Sequence, residues 1–412
     1  MKIKEKRRDV ENELDKHNYA ETEVYKMKSA YMIALAVVVI VIVIGGVFSY
    51  IYLGRSTTST STSKLAAATL NGAGGTLVYP LMTIWTAAYT SAEHQITISY
   101  NPVGSGQGIT DFQDQIVDFG ESDAPMNAAQ YAAIPSGKTA LTIPISASAV
   151  VPAYNLKLAN GSTLTNGLNF TGTVLANIFL GNITTWNDTQ IQSLNPTIPL
   201  PGTPITTVHR SDGSGTMFAF TDFLSQASPT WNTTVGKSTS PPWPKTPLET
   251  AGYHNAGVAT AISQTNGAIG PLEIAYILEN PGTIYYGTVQ NAAGNFILAN
   301  VTNIAAALQA GASAGLPAGN AAWTNVSIVD NIYNDTAATN IYPIATLTYA
   351  LVYEQQSSYT QGAALVNFTS WIVNSGQTLG QGLGYVPLPA NIVAVDNATI
   401  KLITYNGTPI EN

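Results

Sequence analysis

His209-Arg210-Ser211-Asp212-Gly213-Ser214-Gly215-Thr216 is the stretch from which the organisation of the rest of this chain is inferred. It leads into an aromatic run with helical character, residues 217–224. Glycines let a backbone approach a ligand closely, and the first turn of a helix presents free N–H donors and a positive dipole end. Arg210, the only arginine after Arg55, adds a planar fork that fits an oxyanion. The stretch indicates an anion site; the alternative is a helix capped by Asp212 or Ser214 beside a solvated arginine.

Composition limits the partners of this 412-residue chain, which is long enough for two medium domains. It has no cysteine, so disulfides and thiolate metal sites are excluded. From Lys64 onward seven basic residues stand against seventeen acidic ones, a formal net charge of −10. That balance argues against nucleic acid or an anionic membrane surface as a partner, because both select basic patches. An anion would therefore be bound by local hydrogen-bond donors, since the net negative charge of the chain does not attract it.

The N-terminal part predicts a membrane anchor. Residues 1–29 are polar and densely charged, and residues 30–53 then run without a charge, which is long enough to span a bilayer. The lysines before this run place 1–29 in the cytoplasm and the rest of the chain outside the cell. A cleaved signal peptide is the competing interpretation, but its apolar region would normally be shorter. Residues 54–68 read as a Ser/Thr-rich linker. The prediction is a single-pass protein of the cell membrane with an extracellular C-terminal domain.

Glycosylation sequons support exposure of that domain outside the cell. Asn-X-Ser/Thr occurs eleven times, always beyond the hydrophobic run. Chance matches are expected in a chain rich in Asn and Thr, but this number favours a glycosylated outer face. The sequons begin at Asn160, Asn169, Asn182, Asn187, Asn232, Asn300, Asn325, Asn334, Asn367, Asn397 and Asn406.

Three further corners of small residues precede predicted helices. A short strand runs into the glycines of residues 72–76, a strand at 95–100 runs into residues 103–108, and residues 118–125 form the third corner. In α/β domains ligands collect at the carboxyl ends of strands, against helix starts. No corner has the G-x-G-x-x-G spacing or the Walker lysine of nucleotide sites. The corners are therefore candidate anion cradles without a nucleotide signature.

The order of the predicted elements suggests two α/β lobes. Apolar, β-branched strands at 142–153 and 341–349 are placed where the chain would pass from one lobe to the other and back. We therefore expect lobe 1 to comprise residues 69–145 and 343–412, and lobe 2 to comprise residues 146–342.

These motifs, in this order and spacing, resemble the phosphate-binding proteins of ABC-type phosphate importers over residues 70–388. The resemblance implies a two-lobed periplasmic-binding-protein fold of type II with two interlobe crossovers. It further implies high-affinity binding of inorganic phosphate, ABC permease and ATPase subunits as partners, and no cofactor or metal. The matching pieces are Gly72-Ala73-Gly74-Gly75-Thr76, Pro102-Val103-Gly104-Ser105-Gly106, Val117-Asp118-Phe119-Gly120-Glu121-Ser122-Asp123-Ala124-Pro125, Arg210-Ser211-Asp212-Gly213-Ser214-Gly215-Thr216, Gly267-Ala268-Ile269-Gly270, Tyr342-Pro343-Ile344 and Gly384-Tyr385-Val386-Pro387-Leu388-Pro389.

The resemblance also implies a set of phosphate ligands, supported by a salt bridge from Asp212 to Arg210. Leu77 stands where the family usually has phenylalanine, a change that a backbone donor tolerates. His209 stands where another basic residue is often found, and it would add positive charge at low pH unless it only faces solvent. The implied ligands are Thr76, Leu77, Ser105, Asp123, Arg210, Ser214, Gly215 and Thr216.

Two other functions compete with phosphate uptake. A phosphatase or serine hydrolase is disfavoured, because neither Ser105 nor Ser214 lies in a G-x-S-x-G elbow and the chain has few histidines. The chain is therefore not expected to be an enzyme. A structural or phosphate-sensing surface glycoprotein on the same fold remains as the alternative, since a loss of permease contacts would leave the donor set unchanged.

Overall fold

The computed structural model describes residues 65–313, 315–324 and 326–411. The chain from Leu65 onward belongs to one unit. The predicted cytoplasmic tail at 1–29, membrane segment at 30–53 and all but the last residues of the linker lie outside the described residues. Of the helices that are described, none is both long enough and apolar enough to cross a membrane.

Strands and helices alternate along most of the described chain. The strands are β1 (Ala68–Ala73), β2 (Ile96–Asn101), β3 (Phe119–Ser122), β4 (Ala140–Asn155), β5 (Asn169–Phe170), β6 (Thr206–Arg210), β7 (Glu249–Gly252), β8 (Ala268–Glu273), β9 (Tyr285–Tyr286), β10 (Thr288–Gln290), β11 (Phe296–Ile297), β12 (Ala345–Tyr353), β13 (Gln355–Gln356), β14 (Thr404–Tyr405) and β15 (Thr408–Pro409). The α-helices are α1 (Tyr79–Ala92), α2 (Ser105–Gln113), α3 (Ala128–Ala132), α4 (Gly172–Phe179), α5 (Thr189–Leu194), α6 (Gly215–Ala227), α7 (Pro229–Thr234), α8 (His254–Gln264), α9 (Ile274–Leu278), α10 (Val301–Ala312), α11 (Ile328–Ile332), α12 (Tyr359–Asn374) and α13 (Ala390–Ile400), and a 3₁₀-helix covers Gly376–Leu383.

A mixed sheet of nine strands organises the fold. Its order is β2-β1-β3-β12-β4-β8-β6-β7, and β9 pairs with β4 off this path. The outer strands on each side run parallel to their neighbours, whereas β12 and β4 run antiparallel to each other and to the strands beside them. The sheet thus consists of two parallel halves joined by an antiparallel centre.

The two central strands are the long apolar segments that the sequence places between its two regions. Residues 140–149 of β4 pair with β12, and residues 150–155 pair with β8 in the other half of the sheet. The expected lobe boundary at 145/146 therefore falls inside β4, and the one at 342/343 falls two residues before β12 begins. Only Asn155 of β4 is not fully buried, as expected for a strand covered on both faces.

A bulge interrupts the pairing of the central strands beside the candidate site. Thr348 lies opposite Ser146, but Tyr349 lies opposite Pro144, so the register shifts by one residue. Proline has no N–H to donate to a ladder, and bulges accommodate it while turning nearby side chains. The shift occurs where the Thr348 side chain points toward Asp123.

Apolar packing holds the two halves together. One cluster of buried side chains includes Leu70 on β1 and Ile269 on β8, and it contains the fully buried Trp85, Trp186 and Trp231. Burial of one large apolar side chain contributes about 2 kcal/mol relative to its exposure. The strands that carry the candidate ligands are therefore fixed by the core and not by the ligands themselves.

Helix starts lie earlier than the sequence predicts at the two most important corners. The sequence predicts a helix after the corner at residues 103–108, but α2 begins within that corner at Ser105, directly after Gly104 with a φ of +89°. Likewise α6 begins at Gly215, two residues before the predicted helical run at 217–224. Glycine adopts positive φ without strain, so the chain turns at Gly104 and starts the helix at once. The small residues of these corners are consequently first-turn helix residues, whose N–H groups are not consumed within the helix.

Candidate functional site

Arg210 is the last residue of β6, and it is buried with 4% of its surface exposed. Its Nε donates to Asp212 Oδ1 at 2.8 Å, and its Nη2 forms a second, shorter contact with Asp212 Oδ2. Its Nη1 lies within hydrogen-bond distance of Thr76 Oγ1 at 3.1 Å and Ser214 Oγ at 3.0 Å. The guanidinium is therefore held by Asp212 on one side and turned toward hydroxyls on the other.

Thr76 and Ser214 contribute hydroxyl groups whose oxygens accept hydrogen bonds from neighbouring N–H groups. Thr76 Oγ1 accepts from Arg210 and from the backbone N–H of Asn255 at 3.3 Å. Ser214 Oγ accepts from Arg210 and, as the N-cap of α6, from the N–H of Met217. A hydroxyl has two acceptor lone pairs and one donor, so each O–H proton can still be donated to an oxyanion.

Ser105 and Asp123 form the opposite side of the cluster. Ser105 Oγ accepts from the N–H of Gly215 and donates to Asp123 Oδ2, both at 3.1 Å. Thr348 on β12 donates to Asp123 Oδ1 at 2.8 Å. Asp123 thus receives hydroxyl donors from both the α2 corner and the central strand, while the α6 corner lies directly against it.

Two glycines allow this close approach. A Cβ added at Gly215 would lie 2.4 Å from Asp123 Cβ, and one added at Gly75 would lie 2.4 Å from Asp123 Oδ2. Both distances are too short for any side chain, so each corner requires glycine at that position. The corners from both halves of the sheet consequently converge on a single point.

The two aspartates of the cluster differ in their electrostatics. Burial raises the pKa of Asp123, although hydrogen bonds from Thr348, Glu121 and Ser105 and the charge of Arg210 act in the opposite direction. The pKa of Asp212 is lowered: its burial would raise the pKa, but the hydrogen bonds and charge of Arg210 outweigh that effect. At neutral pH Asp212 neutralises the arginine, and Asp123 is a buried acceptor.

The structure brings the predicted ligand set together. Each of the eight predicted ligand positions is buried. The Leu77 side chain packs into the core, so only its backbone is available to a ligand, and its carbonyl accepts from the Tyr385 hydroxyl. Thr216 lies in the first turn of α6, and its hydroxyl contacts the Asn255 amide at 3.4 Å.

Three residues of the cluster were missed by the sequence analysis. Asn255 accepts from Arg210 Nη1 at 3.2 Å, Tyr276 donates to the Thr76 carbonyl at 2.7 Å, and Thr348 holds Asp123 as described above. Asn255 follows β7 at the start of α8, so it lies in the same kind of strand-to-helix corner as the predicted ligands. Thr348 and Tyr276 carry no comparable local signal, because they reach the cluster only through the pairing of distant segments.

His209 does not join the cluster. Its ring stacks on Trp243 with centroids 4.8 Å apart, and its Nδ1 lies 3.0 Å from the carbonyl of Arg210. Successive strand residues point to opposite faces, so His209 and Arg210 diverge. Its ring is therefore packed against Trp243 and remains partly exposed, outside the cluster around Arg210.

The described residues also bear on whether this chain could hold a metal ion. Within the described ranges no set of three His, Asp or Glu side chains has the spacing to hold a metal ion. The cluster around Arg210 and Asp123 is the candidate functional site because its donors converge beside one buried acceptor, which is the chemistry of an oxyanion receptor.

Comparisons with known proteins agree with this chemistry. A family model described as a PBP superfamily domain matches residues 59–375. The phosphate-binding protein PstS of Xylella fastidiosa is 36% identical over 82% of this chain and 87% of its own length. PstS of Methanocaldococcus jannaschii is 30% identical over 77% of this chain and 82% of its own length. In fold, the chain resembles the crystal structure of an ancestral soluble variant of the human phosphate binding protein, with a TM-score of 0.62, 22% identity and coverage of 83% and 99%.

Proposed function

We propose that this chain, which belongs to the phosphate-binding protein family of the PBP superfamily, binds inorganic phosphate and delivers it to an ABC-type importer. The proposed ligands are the hydroxyls of Thr76, Ser105, Ser214 and Thr216, the backbone N–H groups of Leu77 and Gly215, the guanidinium of Arg210 and the carboxylate of Asp123. Asp212 supports Arg210 without contacting the ligand.

The observation that carries the proposal is the composition of the buried cluster. Burying an anion is costly unless its oxygens receive donors, and here one arginine and the hydroxyls of Thr76 and Ser214, each with a free proton, converge with the first turn of α6. The described part of the chain supplies these donors locally even though its overall charge is negative. Such a cluster suits a tetrahedral oxyanion with several oxygens to satisfy.

Asp123 supplies selectivity in this proposal. A carboxylate only accepts, so it pairs with a ligand oxygen that carries a proton. Phosphate and arsenate carry a proton near neutral pH, whereas sulfate does not. An unpaired carboxylate facing a sulfate oxygen costs several kcal/mol, on the order of a 10³-fold preference for phosphate. Closure of the two lobes around the ligand would present a single closed shape to the permease.

The proposed location is outside the cell, on a single-pass membrane anchor. The uncharged run at 30–53, with lysines on its N-terminal side, supports the anchor and its orientation. The eleven sequons support a glycosylated outer face. In this arrangement the Ser/Thr-rich linker ties the binding unit to the membrane that holds the permease and ATPase subunits.

Isothermal titration of the purified full chain tests the function. The titrants are phosphate, sulfate and p-nitrophenyl phosphate, with release of nitrophenol followed in parallel. We expect tight binding of phosphate, weak or no binding of sulfate, and no turnover of the ester.

Each other result selects an alternative. Hydrolysis of the ester identifies a phosphatase. Absence of phosphate binding at neutral pH identifies a structural glycoprotein that has kept the fold. Phosphate binding without uptake, when the chain is expressed together with its permease, identifies a sensor.

A further inference from the structure

Glu121 is a second carboxyl group beside the candidate site that the proposed function does not use. It lies on β3, two residues before Asp123, and none of its surface is exposed. Its Oε2 accepts from the Tyr100 hydroxyl at 2.8 Å, while its Oε1 is buried without a hydrogen-bond partner among the described residues. A buried carboxyl group with one oxygen unsatisfied needs an explanation.

The two carboxyl groups lie against the same glycine. A Cβ added at Gly75 would be 2.5 Å from Glu121 Oε2 and 2.4 Å from Asp123 Oδ2. The two carboxyl groups are therefore close neighbours, and the charge of Asp123 acts to raise the pKa of Glu121. Because two buried carboxylates this close repel each other, the pair is more stable when one of the two groups carries a proton.

Their other partners decide which group carries it. Asp123 accepts from Thr348 and Ser105, and Arg210 adds a favourable positive charge. Among the described residues, Glu121 accepts a hydrogen bond from the Tyr100 hydroxyl, and no positive charge is among the groups that act on it. Burial, followed by the charge of Asp123, raises the pKa of Glu121 well above its ordinary value. Glu121 therefore holds the proton, and Asp123 holds the charge.

The neighbouring titratable groups are consistent with this assignment. Tyr100 on β2 is the titratable group that contacts Glu121 from another strand, and its own pKa is raised by burial and by Glu121. Asp123 in turn interacts with Arg210 on β6, Tyr349 on β12 and Glu273 at the end of β8. The positive charge in this set acts on Asp123 and not on Glu121.

We propose that Glu121 is a protonated positioning residue, which donates a hydrogen bond to Asp123 and so keeps Asp123 ionised as the acceptor for the proton of the ligand. The inference rests on the proposed function, because it assigns a role in phosphate selectivity. It extends that function by naming what sets the low-pH limit of the site. As pH falls, Asp123 takes up a proton only after the stabilisation from Glu121 has been overcome, so selectivity against sulfate persists into more acidic solution.

Two substitutions of Glu121 distinguish the effect of its hydrogen-bond donor from the effect of its side-chain volume. Glu121→Gln keeps an N–H donor of the same size without a titratable proton, and Glu121→Leu fills the space without a donor. The affinities of the full chain for phosphate and for sulfate are measured by titration calorimetry from pH 4 to pH 8. We expect wild type and E121Q to keep the same selectivity profile. We expect E121L to lose about tenfold in selectivity, with the loss beginning about one pH unit higher.

The carboxyl signals of ¹³C-Glu-labelled wild type provide a readout that does not depend on the folding of E121L. The signal that is missing from E121Q should show a protonated carboxyl group at pH 7. An ionised Glu121 at pH 7, or an unchanged selectivity profile in folded E121L, overturns the inference while phosphate binding by wild type still supports the function. If wild type binds no phosphate, the proposed function fails and this role fails with it.

Discussion

Asp212 and Asp123 belong to the same cluster, but different kinds of partner hold them. Asp212 faces the guanidinium of Arg210 through two contacts, and 14% of its side chain remains exposed. Asp123 is 2% exposed, and its oxygens accept from neutral hydroxyls. The pKa of Asp212 is lowered, whereas that of Asp123 is raised by burial. One carboxylate is paired with the arginine, and the other remains available to a ligand.

This difference shows how the same residue type, aspartate, serves two purposes in one cluster: it supports the arginine in one place and selects the ligand in the other. A carboxylate paired with arginine fixes the direction of the fork but has little acceptor capacity left for a ligand. A carboxylate held by hydroxyl groups keeps its charge while the arginine stays free to bind the anion. Single substitutions can change one side of this comparison at a time.

The largest effect should follow from removing Arg210, whose pairing with Asp212 makes the environment of Asp212 different from that of Asp123. Arg210→Gln removes a charged, bidentate donor, and each hydrogen bond from a charged group contributes about 2 kcal/mol. We expect the Kd for phosphate to rise by ~10³-fold, as measured by titration calorimetry. The Kd of Arg210→Lys should lie between those of wild type and Arg210→Gln, because lysine keeps the positive charge but not the planar, bidentate donor.

Lys245→Met is the matched control for loss of a positive charge. Lys245 is exposed and pairs with Glu249 on the surface. Its substitution should leave phosphate affinity unchanged within twofold. Similar losses in both variants would mean that overall charge, and not the fork of Arg210, governs binding.

The second effect concerns the selectivity assigned to Asp123. Asp123→Asn replaces an obligatory acceptor with a group that can donate to a sulfate oxygen, so the penalty for sulfate disappears. We expect the ratio of sulfate to phosphate Kd values to fall by ~10²-fold at pH 7, in parallel titrations with the two anions. Asp212→Asn is the control, and it should weaken the binding of both anions together. If Asp123→Asn left this ratio unchanged, the selectivity could not be assigned to the carboxylate of Asp123.

The third effect concerns thermal stability: substituting Asp123 and substituting Asp212 should change the Tm in opposite directions. A carboxyl group whose pKa is raised by folding costs stability above its unfolded pKa, whereas one whose pKa is lowered contributes stability there. Without ligand at pH 7, Asp123→Asn should therefore raise the Tm, and Asp212→Asn should lower it, each by about 2 °C. The Asp123→Asn difference should vanish near pH 3, below the pKa of the unfolded chain, whereas the Asp212→Asn difference should be lost only as pH falls through the lowered pKa of folded Asp212.

Differential scanning calorimetry of wild type and the two variants at pH 7 and pH 3 tests this expectation. Shifts of the same sign at pH 7 would show that the two aspartates share one environment. An Asp123→Asn shift that persists at pH 3 would show that packing, and not ionisation, causes it.

Much of the site could be predicted from the sequence because its parts are local. Each corner has its strand end, glycine and hydroxyl within a few residues, and helix starts supply the N–H donors wherever the chain turns. Thus Ser105, Ser214 and Gly215 are recognisable from their immediate neighbours in the chain. The alternation of strands and helices likewise predicts two α/β regions joined by two long apolar strands, but not that these strands form the antiparallel centre of one mixed sheet.

The remainder depends on pairing between distant segments. Thr348 reaches Asp123 only because β12 inserts between β3 and β4, with a bulge that no local pattern specifies. Asn255 reaches Arg210 only because β7 lies beside β6. The proximity of Glu121 on β3 to Asp123, directly after it, follows from their two-residue spacing, but the absence of a compensating cation among the described neighbours of Glu121 does not.

The smallest effect should come from Thr348, which supports Asp123 from the central strand. Thr348→Val removes one hydroxyl donor at nearly constant volume, so the pKa of Asp123 should rise further and the carboxylate should become a poorer partner for the ligand. We expect about a threefold loss of phosphate affinity at pH 7, since one such hydrogen bond contributes about 0.7 kcal/mol. Thr346→Val on the same strand is the control, because Thr346 contacts only backbone carbonyls of Asp123 and Leu347, at 3.4 and 3.3 Å. If both variants lost affinity equally, the effect would belong to the packing of β12, and the hydroxyl of Thr348 would have no separate role in keeping Asp123 ionised.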